Sequence, residues 1–309
     1  MLDVQKDVSL AGKTTFHIGG KAKFFAVVQD ENELRDVLEY AGYNNLDYFI
    51  LGGGSNVLFS DKGFDGLVIK INNPEFLIHK THIEAGAGVP FPKLVRDSIA
   101  EGLSGMEWAA GIPGTIGGAV RGNAGAFGQM IGESVESVKV FDILEKKIKS
   151  YAVSECEFGY RDSLFKRNKN LIILSVKFKF VLGDKEELER KRKEIIEQRI
   201  SKQPQGMGSA GSFFMNPVVD NEALKERFEK QKGVKVRENK LPAGWLIDQA
   251  ELKGKKIGNA LVSETHADFI LNAGGATAED VIILEGFVKQ QVRDKFGVQL
   301  QSEVEHVGF

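Results

Sequence analysis

A mixed chain of the α+β class, divided into two or three domains, is what this sequence predicts. Three observations carry that expectation. The chain has 309 residues, more than a single hydrophobic core usually needs. Strand-like and helix-like periods alternate through its first part, and strands dominate its middle. Its 35 glycines gather at 52–54, 86–88, 102–132, 206–211 and 274–275. Such loops let a ligand meet backbone rather than side chain, and together they suggest an enzyme with a cofactor.

Composition excludes several classes. Hydrophobic residues make up 42% and charged residues 27%, which is ordinary globular material rather than disorder. A formal net charge of -2 and the lack of a long basic patch argue against nucleic acid. The run Arg190-Lys191-Arg192-Lys193 lies among glutamates and reads as a solvated helix face. The one cysteine, Cys156, allows neither an internal disulfide nor a cysteine metal site. The first residues lack signal-peptide architecture. No apolar run approaches the roughly 18 residues of a membrane span. The expectation is a cytoplasmic protein that is not bound to a membrane.

The elements follow in order. Residues 23–29 read as a strand, and Asp30 or Asn32 can cap a helix running to about Tyr40. Strand 47–51 leads into Gly52-Gly53-Gly54-Ser55-Asn56, and strand 66–71 follows. Residues 76–85 form one more strand, broken by Gly86-Ala87-Gly88. Pro90-Phe91-Pro92 opens a helix from Lys93 to Glu101, with Leu94, Val95 and Ile99 inward. Gly102–Gly128 holds many backbone groups and few polar side chains. A large flat ligand could lie against its main chain, with Thr115 donating to a phosphate or ring oxygen.

Strands Ser134–Phe141, Lys147–Ala152 and Ile172–Phe180 come next, then a charged helix from Asp184 to Ile200. The turn-rich stretch 202–209 leads into a further domain. That domain contains helix Asn221–Gly233, a second helix start at Pro242–Gln249, and a longer helix Ala278–Phe296. Val281, Leu284, Val288, Val292 and Phe296 give the last its period. The tail from Val298 to Glu305 alternates like a strand.

Several residues are candidates for chemistry. Gly52–Asn56 can wrap a diphosphate in backbone N–H groups or be an ordinary glycine turn. Neither the dinucleotide fingerprint nor the P-loop pattern is present. Arg161, after Tyr160, offers a fork of donors suited to a carboxylate, or is a surface arginine. Ser212 lies between Gly211 and Phe213-Phe214 and is not a nucleophile elbow. It reads as a proton donor, a ligand contact or a cap. Glu303 by itself reads as a solvated edge carboxylate. The histidines, among them His266, show no metal-ligand spacing, so no metal is expected.

Taken together, Thr15–Gly20, Leu51–Leu58, Gly102–Gly128, Tyr160–Lys166, Ala210–Pro217, Ala243–Gln249, Lys253–Gly258 and Gly297–Gly308 resemble the UDP-N-acetylenolpyruvoylglucosamine reductases. These are flavin enzymes of peptidoglycan precursor synthesis. The resemblance runs nearly end to end. It implies a three-domain FAD-binding oxidoreductase: flavin-binding subdomains at 1–70 and 71–203, and a substrate domain at 204–309 whose tail, 297–309, returns to the active site. FAD contacts fall on Gly52, Gly53, Gly54, Ser55, Asn56, Gly111, Gly114, Thr115 and Gly118. NADPH is the implied co-substrate, the enolpyruvyl ether of a UDP-sugar the substrate, and a monomer the implied form.

The same resemblance places Arg161 at the substrate carboxylate, Glu303 beside it, and Ser212 as the proton donor to the α carbon. Tyr160, Lys202, Asn216 and Gln249 match substrate contacts. Another FAD-linked oxidoreductase acting on a different small substrate is the alternative. Two departures stand out. A segment that carries a nucleotide-covering tyrosine in one branch of the family has no counterpart between the Tyr-Arg and serine motifs. Glu305 stands where the tail usually has arginine.

Overall fold

The computed structural model describes residues 3–309. It contains two compact units. One comprises the N-terminal strand up to Val8, Ala22–Gly54 and Asp65–Ser201; the other comprises Ser9–Lys21, Ser55–Phe64 and Lys202–Phe309.

The first unit begins with β1 (Val4–Ser9), β2 (Lys21–Val28), α1 (Glu31–Tyr43) and β3 (Tyr48–Leu51). A short strand of the second unit, β4 (Val57–Phe59), precedes β5 (Phe64–Ile71). The sheet order is β1-β2-β5-β3, with β3 and β5 parallel and Ile50 opposite Ile69. Helix α1 starts where Asp30 accepts from Glu33 N at 2.9 Å. It buries Leu34, Val37 and Ala41, the apolar stripe of its period.

A second sheet is built from β6 (Phe76–His79), β7 (His82–Gly86), β11 (Val135–Asp142), β12 (Lys147–Ala152) and β13 (Leu171–Lys179), in the order β12-β11-β13-β7-β6. Between them in the chain come α2 (Phe91–Ala100), β8 (Leu103–Ser104), α3 (Ile116–Arg121), the β9–β10 hairpin (Gly125–Ala126, Gln129–Met130) and α4 (Leu164–Arg167). Strand β14 (Val181–Leu182) pairs back on β8, and α5 (Lys185–Lys202) closes the unit. Ile83, Phe91, Leu94, Trp108, Ile116, Val138 and Val176 share its core. Each such side chain, fully buried, contributes about 1.5–3 kcal/mol.

The second unit continues with β15 (Gly208–Ser212), α6 (Glu222–Lys232), α7 (Ala243–Gln249), β16 (Lys256–Ile257), β17 (Ala260–Val262), β18 (Phe269–Asn272), α8 (Ala278–Phe296) and β19 (Glu305–Val307). Its sheet runs β15-β18-β17-β16. Separately, β19 lies parallel to β4, with Glu305 opposite Val57. The start of α8 is doubly capped. Thr277 and Asp280 form a capping box, and Asp61 accepts from Ala278 N at 2.9 Å and Glu279 N at 3.1 Å. Gly297, at φ 68, ends the helix in the left-handed conformation that favours glycine.

Two expectations are corrected. Residues 76–85 are not one strand but the hairpin of β6 and β7. Lys80 takes φ 51 at a turn that returns His82 opposite His79, and no Asn-Gly or Asp-Gly marks it in the sequence. The tail is not a strand over 298–305. Only Glu305–Val307 is regular strand, because its partner is the three-residue β4. Among the described residues no helix is long and apolar enough to cross a membrane.

Candidate active site

In the first unit, the Gly52–Gly54 loop leaves β3 and packs on residues 114–118. A β-carbon on Gly52 would fall 2.6 Å from Thr115 Oγ1, and one on Gly53 would fall 2.6 Å from Gly114 Cα. The two backbones therefore approach more closely than side chains permit. The second loop is anchored in turn. Phe91 N donates to Gly114 O, Ile116 N to Val89 O and Gly117 N to Ala87 O, each at 2.9 Å. Gly118 leaves the other side of Thr115 open, since a β-carbon there would meet nothing nearer than Thr115 Oγ1 at 3.7 Å.

Thr115 stands at the N-cap of α3, yet its side chain makes no capping bond. It is buried, and Oγ1 has no partner. A buried hydroxyl left this way costs about 1–3 kcal/mol. Nearby, Gly111 packs on Arg199: a β-carbon would lie 3.1 Å from Arg199 Cδ. Arg199 Nη2 donates to Trp108 O at 3.4 Å, and the Phe127 ring lies 5.4 Å from its guanidinium. Its Nε is buried without a partner. Burial lowers its pKa, from a value so high that the charge persists.

Tyr160 and Arg161 occupy the tip of a tight turn. Gly159 N bonds Asp162 O at 3.0 Å and Asp162 N bonds Gly159 O at 3.2 Å. Arg161 takes φ 55, and its guanidinium lies 5.7 Å from the Tyr160 ring centre. Two buried side chains hold the turn from below. Asn123 donates to Gly159 O at 2.7 Å and accepts from Gly132 N at 3.1 Å. Ser163 donates to Arg121 O at 2.7 Å. Lys166 reaches Arg161 O at 2.7 Å. The arginine is thus carried on a fixed backbone, as a directional charge requires.

The second unit holds Ser55, Asn56, Lys202, Ser212, Asn216, Gln249 and Glu303. Ser212 ends β15 opposite Phe269, after a register irregularity that follows Ser209. Gly211 within it takes φ 79. Asp268 fixes the next residues: its carbonyl accepts from Phe213 N at 2.7 Å and its carboxylate from Phe214 N at 3.0 Å.

The tail runs alongside. Glu303 N donates to Phe213 O at 2.8 Å and Met215 N donates to Gln301 O at 2.9 Å. Ser212 and Glu303 therefore belong to neighbouring, hydrogen-bonded segments. Asn56 stitches the tail from the other side, donating to Glu303 O at 3.1 Å and accepting from Glu305 N at 3.1 Å. Asn216 Oδ1 accepts from Ala243 N at 2.9 Å, securing the start of α7, and Gln249 at its end accepts from Arg227 at 2.6 Å. Lys202 is the exposed last residue of α5.

Comparison with known proteins assigns this arrangement to a family. Residues 203–307 match the model of the UDP-N-acetylenolpyruvoylglucosamine reductase C-terminal domain, and residues 22–146 match an FAD binding domain. The UDP-N-acetylenolpyruvoylglucosamine reductase of Solibacter usitatus is 37% identical, over 99% of this chain and 97% of its own. That of Carboxydothermus hydrogenoformans is 38% identical, over 99% and 94%. The chain belongs to the UDP-N-acetylenolpyruvoylglucosamine reductase family. A solved structure of the Thermus caldophilus reductase superposes with a TM-score of 0.80 at 31% identity, covering all of both chains. The multi-domain α+β fold is that of the reductases.

The FAD-binding match spans both Gly52–Gly54 and Gly111–Gly118. The residues there fit such a group: a side-chain-free backbone cradle and an orphaned Thr115 hydroxyl, with the half-buried Arg199, outside the match, packed beside Gly111. Among the described residues no carboxylate pairs with Arg199, and no cluster of His, Cys, Asp or Glu could hold a metal. Thr115→Val is expected to act with opposite signs in the two forms of the reductase. It should stabilise the flavin-free protein by about 1 kcal/mol, because it removes an unsatisfied buried hydroxyl. It should weaken FAD binding by about tenfold, the loss of one hydrogen bond. Thermal melts without flavin and a fluorescence titration with FAD read the two effects. An unchanged affinity would remove Thr115 from the cofactor site.

The sequence reading missed Asn123, Ser163 and Asp268 as supports. Asn123 stood in a Gly-Asn-Ala-Gly run whose glycines drew attention away from it. Ser163 also caps α4, accepting from Lys166 N, whereas Asp268 acts on a distant stretch of backbone and had no local signal.

Proposed function

We propose that this chain reduces the enolpyruvyl ether of UDP-N-acetylglucosamine to UDP-N-acetylmuramate, with FAD as its resident cofactor and NADPH as the source of the hydride. The observation that carries the reading is the pairing of the Ser212 segment with the Glu303 segment through Phe213 O and Glu303 N, inside a domain that matches the C-terminal domain of these reductases. Held by Gly52–Asn56 and Gly111–Gly118, FAD would supply the two-electron, hydride-transfer chemistry that links NADPH to the alkene.

The side chains have the complementary work. Arg161 faces the substrate carboxylate with its planar fork and stabilises the negative charge that develops beside it as hydride arrives. Glu303 orients that carboxylate. Ser212 delivers a proton to the α carbon, so hydride and proton together saturate the double bond. A serine hydroxyl is a weak acid, so its proton must be replaced promptly, by Lys202 or through water. Tyr160 forms a wall of the substrate pocket next to Arg161. Asn216 and Gln249, at the two ends of α7, serve the diphosphate side of the nucleotide-sugar. Gly52–Asn56 and Gly111–Gly118 receive the cofactor.

An anaerobic titration tests the whole reading. The purified protein is expected to be yellow, to bleach with NADPH, and to regain its colour when the enolpyruvyl UDP-sugar is added. Bleaching without recovery would keep the flavin protein and discard this substrate. A protein that neither carries nor takes up flavin would discard both.

A further inference from the structure

A buried carboxylate that the reaction does not use sits behind the tail. Glu285 lies within α8, and its side chain is 5% exposed. Lys289, one helical turn further on, donates to its Oε1 at 2.5 Å. Ser302 Oγ donates to the same oxygen and accepts from Lys289 Nζ at 2.8 Å. The second oxygen, Oε2, is 3.1 Å from His306 Nε2. Burial alone would raise this carboxyl, but the His306 ring beside Oε2 and hydrogen bonds from Lys289 and Ser302 to Oε1 hold it down at about 2. A buried charge is tolerated only when paired in this way.

Two of the three partners lie on the tail, and they bracket Glu303. Ser302 and His306 reach Glu285 from the tail, and Val304 between them is buried in the core of the second unit. The His306 ring also lies 6.2 Å from that of Phe213, the neighbour of Ser212. One carboxylate on one helix therefore holds the tail on both sides of Glu303, beside the strand that ends in Ser212.

We propose that Glu285 is a positioning residue for Glu303. Through Ser302 and His306 it sets the register in which Glu303 N meets Phe213 O, and so fixes where the Glu303 carboxylate stands. This inference rests on the reading that Glu303 acts on the substrate.

The test compares flavin-loaded Glu285→Gln, Ser302→Ala and Glu303→Gln proteins. Glutamine keeps the size of Glu285 and removes its charge. In Glu285→Gln the amides of Glu303 and Glu305 are expected to exchange with solvent at least about tenfold faster, a local opening, while the amides inside α8 keep their protection. Re-oxidation of the reduced flavin by the enolpyruvyl UDP-sugar is expected to slow by about tenfold to a hundredfold, the cost of a slight misplacement, with reduction by NADPH unchanged. Ser302→Ala should move both readouts the same way by less, and it decides the matter if Glu285→Gln does not fold. Unchanged exchange and unchanged re-oxidation in both variants, with Glu303→Gln slow, would overturn the positioning role and leave the reading of Glu303 standing. A Glu303→Gln protein that re-oxidises normally would overturn that reading, and the proposal with it.

Discussion

Ser212→Ala is expected to bleach with NADPH as fast as the unaltered protein and then to re-oxidise with the enolpyruvyl UDP-sugar about 10²–10⁴-fold more slowly, the range for loss of a positioned proton donor. The two half-reactions separate because NADPH delivers hydride alone, whereas saturating the alkene needs a proton as well. Removing one hydroxyl should not disturb the fold. Phe213 and Phe214, which follow Ser212, are held by Asp268 through backbone groups that alanine retains. Rapid-mixing absorbance of each half-reaction is the measurement. Equal slowing of both halves would show that Ser212 supports the flavin rather than the proton. A re-oxidation rate left intact would remove the serine from the chemistry.

Arg161→Ala should lower kcat/KM for the enolpyruvyl UDP-sugar by about 10²–10³-fold, the loss seen when one donor to a developing negative charge is removed. Flavin reduction by NADPH should not change. Arg161→Lys sharpens the test. Lysine keeps the charge but loses the planar fork, so it should recover only a minor part of the lost rate. The turn itself should survive either change, because Gly159 and Asp162 close it through backbone bonds and Lys166 holds the carbonyl of residue 161 rather than its side chain. Arg161 already sits at φ 55, so one non-glycine residue replaces another without new backbone strain. A lysine variant as active as the arginine protein would reduce the role to simple charge attraction.

The glycine cradle was legible because its cause is local. Three consecutive glycines after an apolar strand permit close backbone approach. The structure shows what they approach, with a β-carbon on Gly53 colliding with Gly114 Cα at 2.6 Å. The long helix Ala278–Phe296 was legible for the same reason, since Thr277, Gly297 and its apolar period lie in or next to its own residues, and only the added cap from Asp61 comes from far away. The hairpin at 76–86 was not. Its turn depends on Lys80 accepting a left-handed backbone, a conformation that pairing imposes and lysine does not advertise. Asn56 shows the same limit. It stands in the glycine loop and reads as a cofactor contact; the fold gives it a further task that the loop does not announce, since its side chain and carbonyl bind the backbone of Glu303 and Glu305, almost the whole chain away.

By itself the sequence determined the class of the fold and the family, and it named the loop and the side chains proposed for the site. Each is written in short contiguous motifs where residue type and local backbone requirement coincide. Only the tertiary structure decided how those side chains are held. It assigns 9–21 and 55–64 to the same unit as 202–309, lays the tail along Phe213–Met215, and seats Glu285 behind it with Lys289, Ser302 and His306. The course of the tail rests on hydrogen bonds between backbone groups far apart in the chain, which every residue carries, and the Glu285 cluster rests on side chains that the helix and the tail bring together. A backbone bond leaves almost no trace in residue type, so the supports of the site became visible only when the chain was folded.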